Sequence, residues 1–553
     1  MSHIWYKNYE PSIAKTIDSS RYSSINQIFD EAFATHASAP AFHCMGTTIS
    51  YSELNTQALK FCDFLQNDLK LVKGDRIAIM MPNILQYPVA MVAALKAGLV
   101  IVSCNPLYTA RELEHQLKDS GAKAIVLFEN SAAVLEKVLA QTQIKHVITT
   151  QIGDMLNFPK NHIVNFVIKK VKKMVPDWNI PKSIPMMEAI GGGDATQILA
   201  AELGHEDLAF LQYTGGTTGV SKGAMLTHGN IVSNMMQARE WIKNLVRPSG
   251  DIIITPLPLY HIFSLTANFL TFTSLGALNV LITNPRDIKG FVKELKKWKF
   301  SAITGVNSLF NMLLNDPEFK NVNFSSMRLS LGGGMAVQKA VAERWQETTK
   351  VALIEAYGLT ETSPAACLNP MTNKVYSGFI GLPISSTEVS IRTDNNDQCK
   401  IGDIGEICIR GPQVMRGYWN QPQETANVTT ADGFFKTGDL GFMNDEGYIK
   451  IVDRKKDMIL VSGFNVYPNE VEDVMMGCPK ILECAAIGVP DPHSGELVKL
   501  FVVKKDKSLT EAELREFAKA NMTGYKAPKF YEFRDELPKS NVGKILRKEL
   551  RGK

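Results

Sequence analysis

Short apolar runs alternate with amphipathic stretches along the first 200 residues of the chain. The runs at 76–81, 99–102 and 124–128 have the length of buried strands. Between them, apolar residues recur at helical spacing in 86–97 and 110–120. Strands that alternate with helices are typical of a parallel sheet covered by helical crossovers, so the pattern predicts a doubly wound α/β architecture.

The same alternation returns after residue 250. Apolar runs at 251–255, 301–304 and 327–331 have strand length, and 291–298 has a helical pattern. Three consecutive glycines, 332–334, follow the last of these strands. The chain therefore contains a second predicted βα half.

From about residue 381 the sequence pattern changes to that of short strands, such as 388–392 and 405–410, which are separated by Asp, Asn and Gly turns. This pattern predicts a small β-barrel. Beyond Asp453 helices and strands mix again, which predicts a compact α+β domain. The predicted domains are an N-terminal domain, 1–453, with βα subdomains at about 1–200 and 201–380 and a barrel at 381–453, and a C-terminal domain, 454–553.

Composition changes this picture little. The chain has 553 residues, of which 45% are hydrophobic, and its 60 basic and 56 acidic residues give a net charge of +4. This balance argues against a dedicated nucleic-acid binder. The eight cysteines include no C-x-x-C pair, and no run of about 20 apolar residues or signal-like N-terminus occurs. A cytoplasmic protein without a membrane span is expected.

One stretch, 161–175, places apolar residues at helical spacing beside Lys169, Lys170, Lys172 and Lys173. Such a helix could lie on an anionic membrane, which would place the protein peripherally on the inner face of the cytoplasmic membrane. An ordinary surface helix with a solvated lysine face explains the same pattern. Both interpretations stay open at this point.

The stretch with the narrowest chemical use follows a predicted strand end at 210–212. Its members are Tyr213, Thr214, Gly215, Gly216, Thr217, Thr218, Gly219, Val220, Ser221, Lys222, Gly223 and Ala224. The glycines allow backbone N–H groups to face an oxyanion, while hydroxyls and one ammonium add donors. Serine rather than glycine precedes the lysine, so this is not a Walker A loop. A polyphosphate cradle is predicted, with a flexible polar surface loop as the alternative.

Three further stretches contain charged candidates. Glu361 follows a glycine turn, where a carboxylate can hold magnesium on a nucleotide phosphate. Asp439 and Arg454 offer a carboxylate for ribose hydroxyls and a guanidinium. Lys544 follows a glycine in a basic tail. A plain alternative exists for each: a solvated acidic loop for Glu361, a turn or salt bridge for Asp439 and Arg454, and a solvated terminus for Lys544.

Together these stretches resemble the adenylate-forming enzyme superfamily, and most closely its bacterial long-chain fatty acyl-CoA synthetases. The resemblance extends from about residue 25 to Arg551, because the segments 213–219, 357–361, 437–439, 453–457 and 543–544 occur in the family's order and spacing. It implies the adenylate-forming fold with a mobile C-terminal domain. It also implies ATP, CoA and a fatty acid as substrates, Mg²⁺ as cofactor, and a homodimer as a candidate assembly.

The resemblance also implies roles for individual residues. Thr214 and Glu361 would contact Mg²⁺ and ATP, Asp439 the ribose, and Arg454 a nearby group. Lys544 would be the adenylation lysine. The remaining implied positions are Gly334, Met335 and Tyr357 at adenine, Lys456 at the hinge and Gly463 beside the pantetheine channel.

His261 stays ambiguous. From the residues alone it is a packed histidine, a metal ligand or a general base; the resemblance adds a gate between the carboxylate site and the thiol channel. An acyl pocket is expected from Leu259, Ile262, Phe263, Val306 and 332–335.

Two positions depart from common family usage. Ala336 stands where many members have proline, and Leu460 replaces a lysine that is frequent in other branches. The other candidate functions are an adenylating ligase for a shorter or aromatic acid, a ligase that uses a carrier protein as acceptor, and an inert lipid-binding protein.

Overall fold

Four β-sheets organise the chain. The computed structural model describes residues 3–214, 221–540 and 543–551. Two large sheets occupy most of the chain before residue 384, a four-stranded sheet follows, and a five-stranded sheet lies near the C-terminus. The mixed α/β architecture expected from the alternating pattern is confirmed.

The seven-stranded sheet winds outward in both directions from strand Arg76–Met80. All of its strands are parallel except the last, which is antiparallel to its neighbour. In spatial order the strands are Ile184–Pro185, His146–Thr150, Ala124–Phe128, Arg76–Met80, Val100–Ser103, Leu208–Thr214 and Lys222–Thr227. The reversal of winding is the feature that defines a doubly wound sheet.

The nine-stranded sheet is parallel in its centre and antiparallel at both edges. In spatial order its strands are Leu382–Pro383, Ala365–Leu368, Leu353–Gly358, Leu329–Gly332, Ala302–Gly305, Ile252–Thr255, Leu278–Leu281, Pro40–Cys44 and Thr47–Ser50. Its central strands end in the loops that contain His261, Val306 and the three glycines.

The sheets do not divide along the predicted boundary at residue 200. Strand Pro40–Cys44 joins the nine-stranded sheet, where Phe42 pairs with Asn279. Strand Leu208–Thr214 joins the seven-stranded sheet, where Phe210 pairs with Ile101. The reason is that strand pairing is chosen between residues far apart in sequence, which a local pattern of apolar positions does not encode.

The helices that cover these sheets begin and end close to the predicted positions. Helix Ala110–Ser120 has the predicted bounds, whereas Ile288–Leu295 starts three residues earlier than expected because Asp287 caps it through Gly290 N–H. The other α-helices are Ile25–Thr35, Tyr51–Asp63, Gln86–Lys96, Ala132–Glu136, Lys160–Phe166, Met186–Gly192, His228–Ile242, Ile262–Ser264, Thr271–Thr273, Asn307–Asn315, Lys339–Thr349, Pro422–Asn427, Pro468–Met476, Glu511–Asn521 and Arg547–Leu550. Across 3–214, 221–540 and 543–551, no helix has the length and apolarity needed to cross a membrane.

The region expected to form a small β-barrel is a four-stranded antiparallel sheet. Its strands, in order, are Glu388–Arg392, Gly405–Arg410, Phe435–Met443 and Ile449–Arg454. The first and last strands pair with different partners and not with each other, so the sheet stays open. Four strands are too few to enclose a packed interior, since barrels close at larger strand numbers.

The last sheet belongs to the C-terminal unit, which we define as residues 459–551. Its strands are Phe464–Val466, Ile459–Val461, Gly495–Lys504 and Ile481–Asp491, with Phe530–Arg534 added parallel to Gly495–Lys504. The α+β expectation for this part is confirmed. The predicted domain boundary at 453 and 454 falls where the preceding strand ends, and it stays a prediction.

Candidate active site

A cavity of about 1700 Å³ lies at the carboxyl ends of strands from both large sheets. Crevices at this edge are where open α/β sheets bind ligands. The sequence-predicted residues that line it are Tyr213, Thr214, Lys222, His261, Gly334, Met335, Tyr357, Glu361, Asp439, Arg454, Lys456 and Lys544. Ser221, Gly223, Ala224 and Gly463 do not line it, and Gly215, Gly216, Thr217, Thr218, Gly219 and Val220 lie outside the described residues.

Asp439 lies at the centre of a hydrogen-bonded group on the cavity wall. Its strand neighbour Arg454 forms an ion pair with it, with Nε 2.9 Å from Oδ1, because the two residues face each other across adjacent antiparallel strands. The hydroxyl of Tyr357 donates to the other carboxylate oxygen at 2.7 Å. Asp439 is buried, so the ion pair and the hydrogen bond hold one carboxylate in a fixed orientation.

Glu361 is a second buried carboxylate in the same cavity. Burial raises its pKa, while the hydroxyl of Tyr418, which donates to Oε1 at 2.7 Å, acts in the opposite direction. The turn that leads to it is tight, since a Cβ on Gly358 would lie 1.8 Å from the carbonyl oxygen of Pro364. The glycine therefore allows the close backbone approach that places Glu361.

Lys544 reaches the cavity from the C-terminal unit. Two backbone features fix its position: Ser540 N–H donates to the Lys544 carbonyl at 2.7 Å, and Gly543 adopts a φ of 81°. Enclosure in the cavity and the positive charge of Arg454 lower the pKa of its ammonium to about 8, while the negative charge of Asp439 acts in the opposite direction. An ammonium with this pKa is still mostly charged at neutral pH.

His261 faces the same space but is already engaged. Its Nδ1 accepts a hydrogen bond from Phe263 N–H at 3.3 Å, so it caps the start of a helical segment and the ring proton resides on Nε2. Enclosure and the charge of Lys544 lower its pKa to about 4. His261 is therefore neutral at neutral pH, as a packed, hydrogen-bonded histidine would be.

The two ends of the predicted phosphate loop are tied to one helix, Ala110–Ser120. The hydroxyl of Tyr213 donates to Asp119 Oδ2 at 2.5 Å. On the other side of the loop, His115 Nε2–H donates to the Ser221 carbonyl at 2.8 Å. Lys222 pairs with Glu424. Sequence reasoning missed these partners because each lies about 90 residues or more from the loop in sequence and no local motif marks it.

Part of the cavity lining, here called the apolar branch, is contributed mainly by apolar side chains of helix His228–Ile242, the helical segment 262–273 and the nine-stranded sheet. Of the expected acyl-pocket residues, Ile262, Phe263, Val306 and 333–335 line the cavity, whereas Leu259 is buried beside it. The apolar lining that sequence reasoning missed comprises Ala238, Ile242, Leu257, Ala267, Phe272, Leu329, Leu331, Leu368, Met371 and Ile380. The branch has the apolar character that a hydrocarbon chain requires.

Glu355 is a further buried carboxylate that the sequence did not single out. It lines the cavity and accepts a hydrogen bond from Val337 N–H at 3.1 Å. Burial raises its pKa to about 8. This group is therefore largely protonated at neutral pH, and it adds a neutral polar surface beside Met335.

The predicted hinge and channel residues lie apart from this centre. Lys456 is exposed at the cavity rim. Gly463, with a φ of 83°, forms the turn between strands Ile459–Val461 and Phe464–Val466, outside the cavity in this arrangement. Arg547 pairs with Glu472 at 2.7 Å and lies 3.8 Å from Asp453, so it links the tail to the predicted hinge.

Comparison with known proteins places this cavity in a family. The family model described as AMP-binding enzyme matches residues 29–419, and the model described as AMP-binding enzyme C-terminal domain matches residues 470–544. The long-chain-fatty-acid–CoA ligase of Escherichia coli O157:H7 is 53% identical over 551 residues, which cover 100% of this chain and 98% of the relative. The ligase of the same name from Haemophilus influenzae is 53% identical over 556 residues, covering 100% and 98%.

Among solved structures, the ATP-bound structure of MatB from Rhodopseudomonas palustris superposes with a TM-score of 0.82. It is 27% identical in sequence, and the match covers 96% of this chain and 98% of that one. The fold of the whole chain, including the C-terminal unit, is thus that of its structural relatives.

The contact between Tyr213 and Asp119 generates a prediction. Asp119→Ala should weaken ATP binding about fivefold to tenfold, because the buried Tyr213 hydroxyl loses its acceptor and the start of the loop is no longer fixed. Isothermal titration of ATP into Asp119→Ala, Tyr213→Phe and the double variant checks it. The double variant should bind ATP about as well as Tyr213→Phe alone; additive losses would show that the two side chains act independently.

Proposed function

The chain belongs to the AMP-binding enzyme family, and we propose that it joins a long-chain fatty acid to CoA through an acyl-AMP intermediate. The observation that supports this most directly is the meeting of Lys544, Asp439 and Glu361 in one cavity that continues into an apolar branch. The two ligases that match it along their whole length are named for the same reaction. Fatty acid, ATP and CoA are the proposed substrates, in fatty-acid metabolism that includes β-oxidation.

In the first step, a carboxylate oxygen of the acid bonds to the α-phosphorus of ATP. The bond from that phosphorus to the oxygen that bridges to the β-phosphorus breaks, and pyrophosphate leaves. Negative charge grows at the α-phosphate, where the ammonium of Lys544 stabilises it. Asp439 orients the nucleotide through its ribose hydroxyls, and the fixed partners Tyr357 and Arg454 keep that carboxylate in place.

Mg²⁺ fits the donors that the site offers. Thr214 and Glu361 supply a hydroxyl and a carboxylate oxygen, and Mg²⁺ in nucleotide sites is held by one or two such ligands together with phosphate oxygens. When bound there, it would neutralise phosphate charge.

In the second step, the thiol sulfur of CoA bonds to the acyl carbon. The bond from that carbon to the phosphate oxygen breaks, AMP leaves, and the thiol proton passes to solvent. Lys544 lines the cavity in this structure, and its charge acts on His261, so the C-terminal unit is proposed to move aside when the thiol enters. Rotation at Lys456, with His261 as a gate and Gly463 beside the incoming pantetheine, is the proposed movement.

The substrate class is tested by CoA-dependent AMP release with acids of about eight to eighteen carbons. We expect kcat/KM to rise about fourfold per added methylene until the apolar branch is filled, because each buried methylene contributes about 0.8 kcal/mol. Benzoate should be a poor substrate, and a carrier protein should not replace CoA. A maximum at the shortest or aromatic acids would favour the alternative ligase, and no AMP release at all would favour an inert lipid-binding protein.

The division of labour assigned to Lys544 is tested with Lys544→Ala. The rate of acyl-AMP formation, measured by pyrophosphate exchange, should fall about a hundredfold or more, because the positive charge that stabilises the transition state is removed. Conversion of supplied oleoyl-AMP and CoA to the thioester should stay near the unmodified rate. Equal losses in both half-reactions would contradict this assignment.

The same assignment predicts a pH dependence. Because the pKa of Lys544 is lowered to about 8, the charged form is lost as pH rises through that value. In the unmodified protein, kcat/KM for acyl-AMP formation should therefore decline above about pH 8, whereas the thioester step should not share that decline.

We also propose that a surface segment of the protein contacts a membrane. Helix Lys160–Phe166 and the helical turn Val167–Val171 form a surface segment whose large apolar side chains are exposed, with Phe166 at 62% and Val171 at 64%. Ile163 within the segment and Phe158 and Met174 on either side of it are also exposed. Exposed apolar residues beside four lysines support a reversible contact with anionic lipid and distinguish this segment from a purely polar surface helix.

Changing Lys169, Lys170, Lys172 and Lys173 to Gln should reduce co-sedimentation with vesicles of phosphatidylglycerol and phosphatidylcholine. Lys169 already pairs with Glu129, so the other three lysines contribute about 3 kcal/mol at low ionic strength, and most binding should be lost. The matched control changes four exposed lysines without neighbouring exposed large apolar side chains, namely Lys289, Lys293, Lys299 and Lys320. Activity on detergent-solubilised acid should stay unchanged in both variants. If both variants bound vesicles equally, the segment would be an ordinary surface helix.

A further inference from the structure

One helix, Asn307–Asn315, makes two side-chain hydrogen bonds to the C-terminal unit. Ser308 Oγ donates to the carbonyl of Gly543 at 3.1 Å. One helical turn later, Asn311 Nδ2 donates to the carbonyl of Leu482 at 3.1 Å. Within the described ranges, the other hydrogen bond from residues 3–453 to this unit is accepted by Asp453 beside the predicted hinge. Away from the hinge, this helix therefore supplies the polar contacts of the docked unit.

The position of these contacts matters for the reaction. Gly543 directly precedes Lys544, so the bond from Ser308 restrains the backbone that presents the ammonium. The fit is close, because a Cβ on Gly543 would lie 2.8 Å from Ser308 Oγ and 3.2 Å from Val306. Both acceptors are backbone carbonyls, so the helix constrains where the chain of the C-terminal unit lies.

The amide of Asn311 is held in the donating orientation by Arg344. The Arg344 guanidinium donates to Asn311 Oδ1 at 3.1 Å and to Asn315 Oδ1 at 3.1 Å. A guanidinium can only donate, so the oxygen of Asn311 must face Arg344 and its NH₂ group must face Leu482. The Asn311 amide is thus held in its donating orientation by Arg344, without any contribution from the C-terminal unit.

The same helix is bonded to the loop beside Met335. Gln338 N–H donates to Asn307 Oδ1 at 2.9 Å, and Asn307 Nδ2 donates back to Gln338 Oε1 at 2.9 Å. The surface that receives the C-terminal unit is therefore joined rigidly to the wall of the cavity that Lys544 enters.

We propose that Ser308 and Asn311 are positioning residues that hold the C-terminal unit in the arrangement that forms acyl-AMP. The inference rests on the proposed function, because it requires Lys544 to act in the first half-reaction only. In the thioester step the unit presents a different face, so neither hydrogen bond is made. Loss of either bond therefore slows one half-reaction and spares the other.

The test is Asn311→Asp. This change keeps an oxygen for Arg344 but replaces the donor with an oxygen that faces the Leu482 carbonyl. Acyl-AMP formation by pyrophosphate exchange should fall about tenfold in kcat, with the KM for ATP little changed, because a docking hydrogen bond is replaced by a repulsive contact. Conversion of supplied oleoyl-AMP and CoA to thioester should stay at the unmodified rate.

Two further variants separate docking from folding. Asn323→Asp makes the same chemical change at an exposed residue whose Oδ1 accepts a hydrogen bond from Ser325 N–H at 3.0 Å, a role that aspartate keeps, and it should leave both half-reactions near the unmodified rates. Ser308→Ala should slow acyl-AMP formation selectively, as Asn311→Asp does.

The docking inference is overturned if Asn311→Asp slows both half-reactions equally, if it leaves acyl-AMP formation unchanged, or if Asn323→Asp matches its effect. Absence of acyl-AMP formation from every acid in the unmodified protein would instead overturn the proposed function, and this inference with it.

Discussion

The burial of one cationic side chain in a cavity that also contains a preorganised carboxylate is the constraint on which the rest of the site depends. Lys544 loses much of its hydration in the cavity, and the shift of its pKa to about 8 reflects that cost. Asp439 is the nearby anion that offsets it. Insertion of Lys544 into the cavity therefore requires both a complementary surface that receives the C-terminal unit and a nearby negative charge that offsets the ammonium.

This balance of charges explains why the buried carboxylates of the cavity wall are each held by hydrogen bonds or an ion pair. Asp439 is held by Tyr357 and Arg454, and Glu361 by Tyr418. Each of these pairs joins segments that belong to different strands or loops. A nucleotide that enters such a site meets polar groups that are already oriented, so little reorganisation is needed when charge moves in the transition state.

The two large sheets are linked in a way that serves the same end. Strand Pro40–Cys44 lies in the second sheet and strand Leu208–Thr214 in the first, so each sheet contains chain from the other's half. The carboxyl end of strand Leu208–Thr214 and the loops after the nine-stranded sheet consequently meet at one cavity. A site assembled this way has walls from both large sheets and a further wall from the C-terminal unit.

The sequence by itself determined the local elements and the chemistry. Apolar periodicity predicted the α/β layers and helix Ala110–Ser120 to the residue, since side-chain spacing encodes which face of an element is buried. Residue type and order predicted Asp439, Glu361 and Lys544, whose side chains do line one cavity. Only the tertiary structure decided which strands share a sheet, that the expected barrel is an open sheet, and that Asp119, Tyr418 and Asn311 support the site. Those contacts join residues dozens to hundreds of positions apart, and their geometry exists only after the chain has folded.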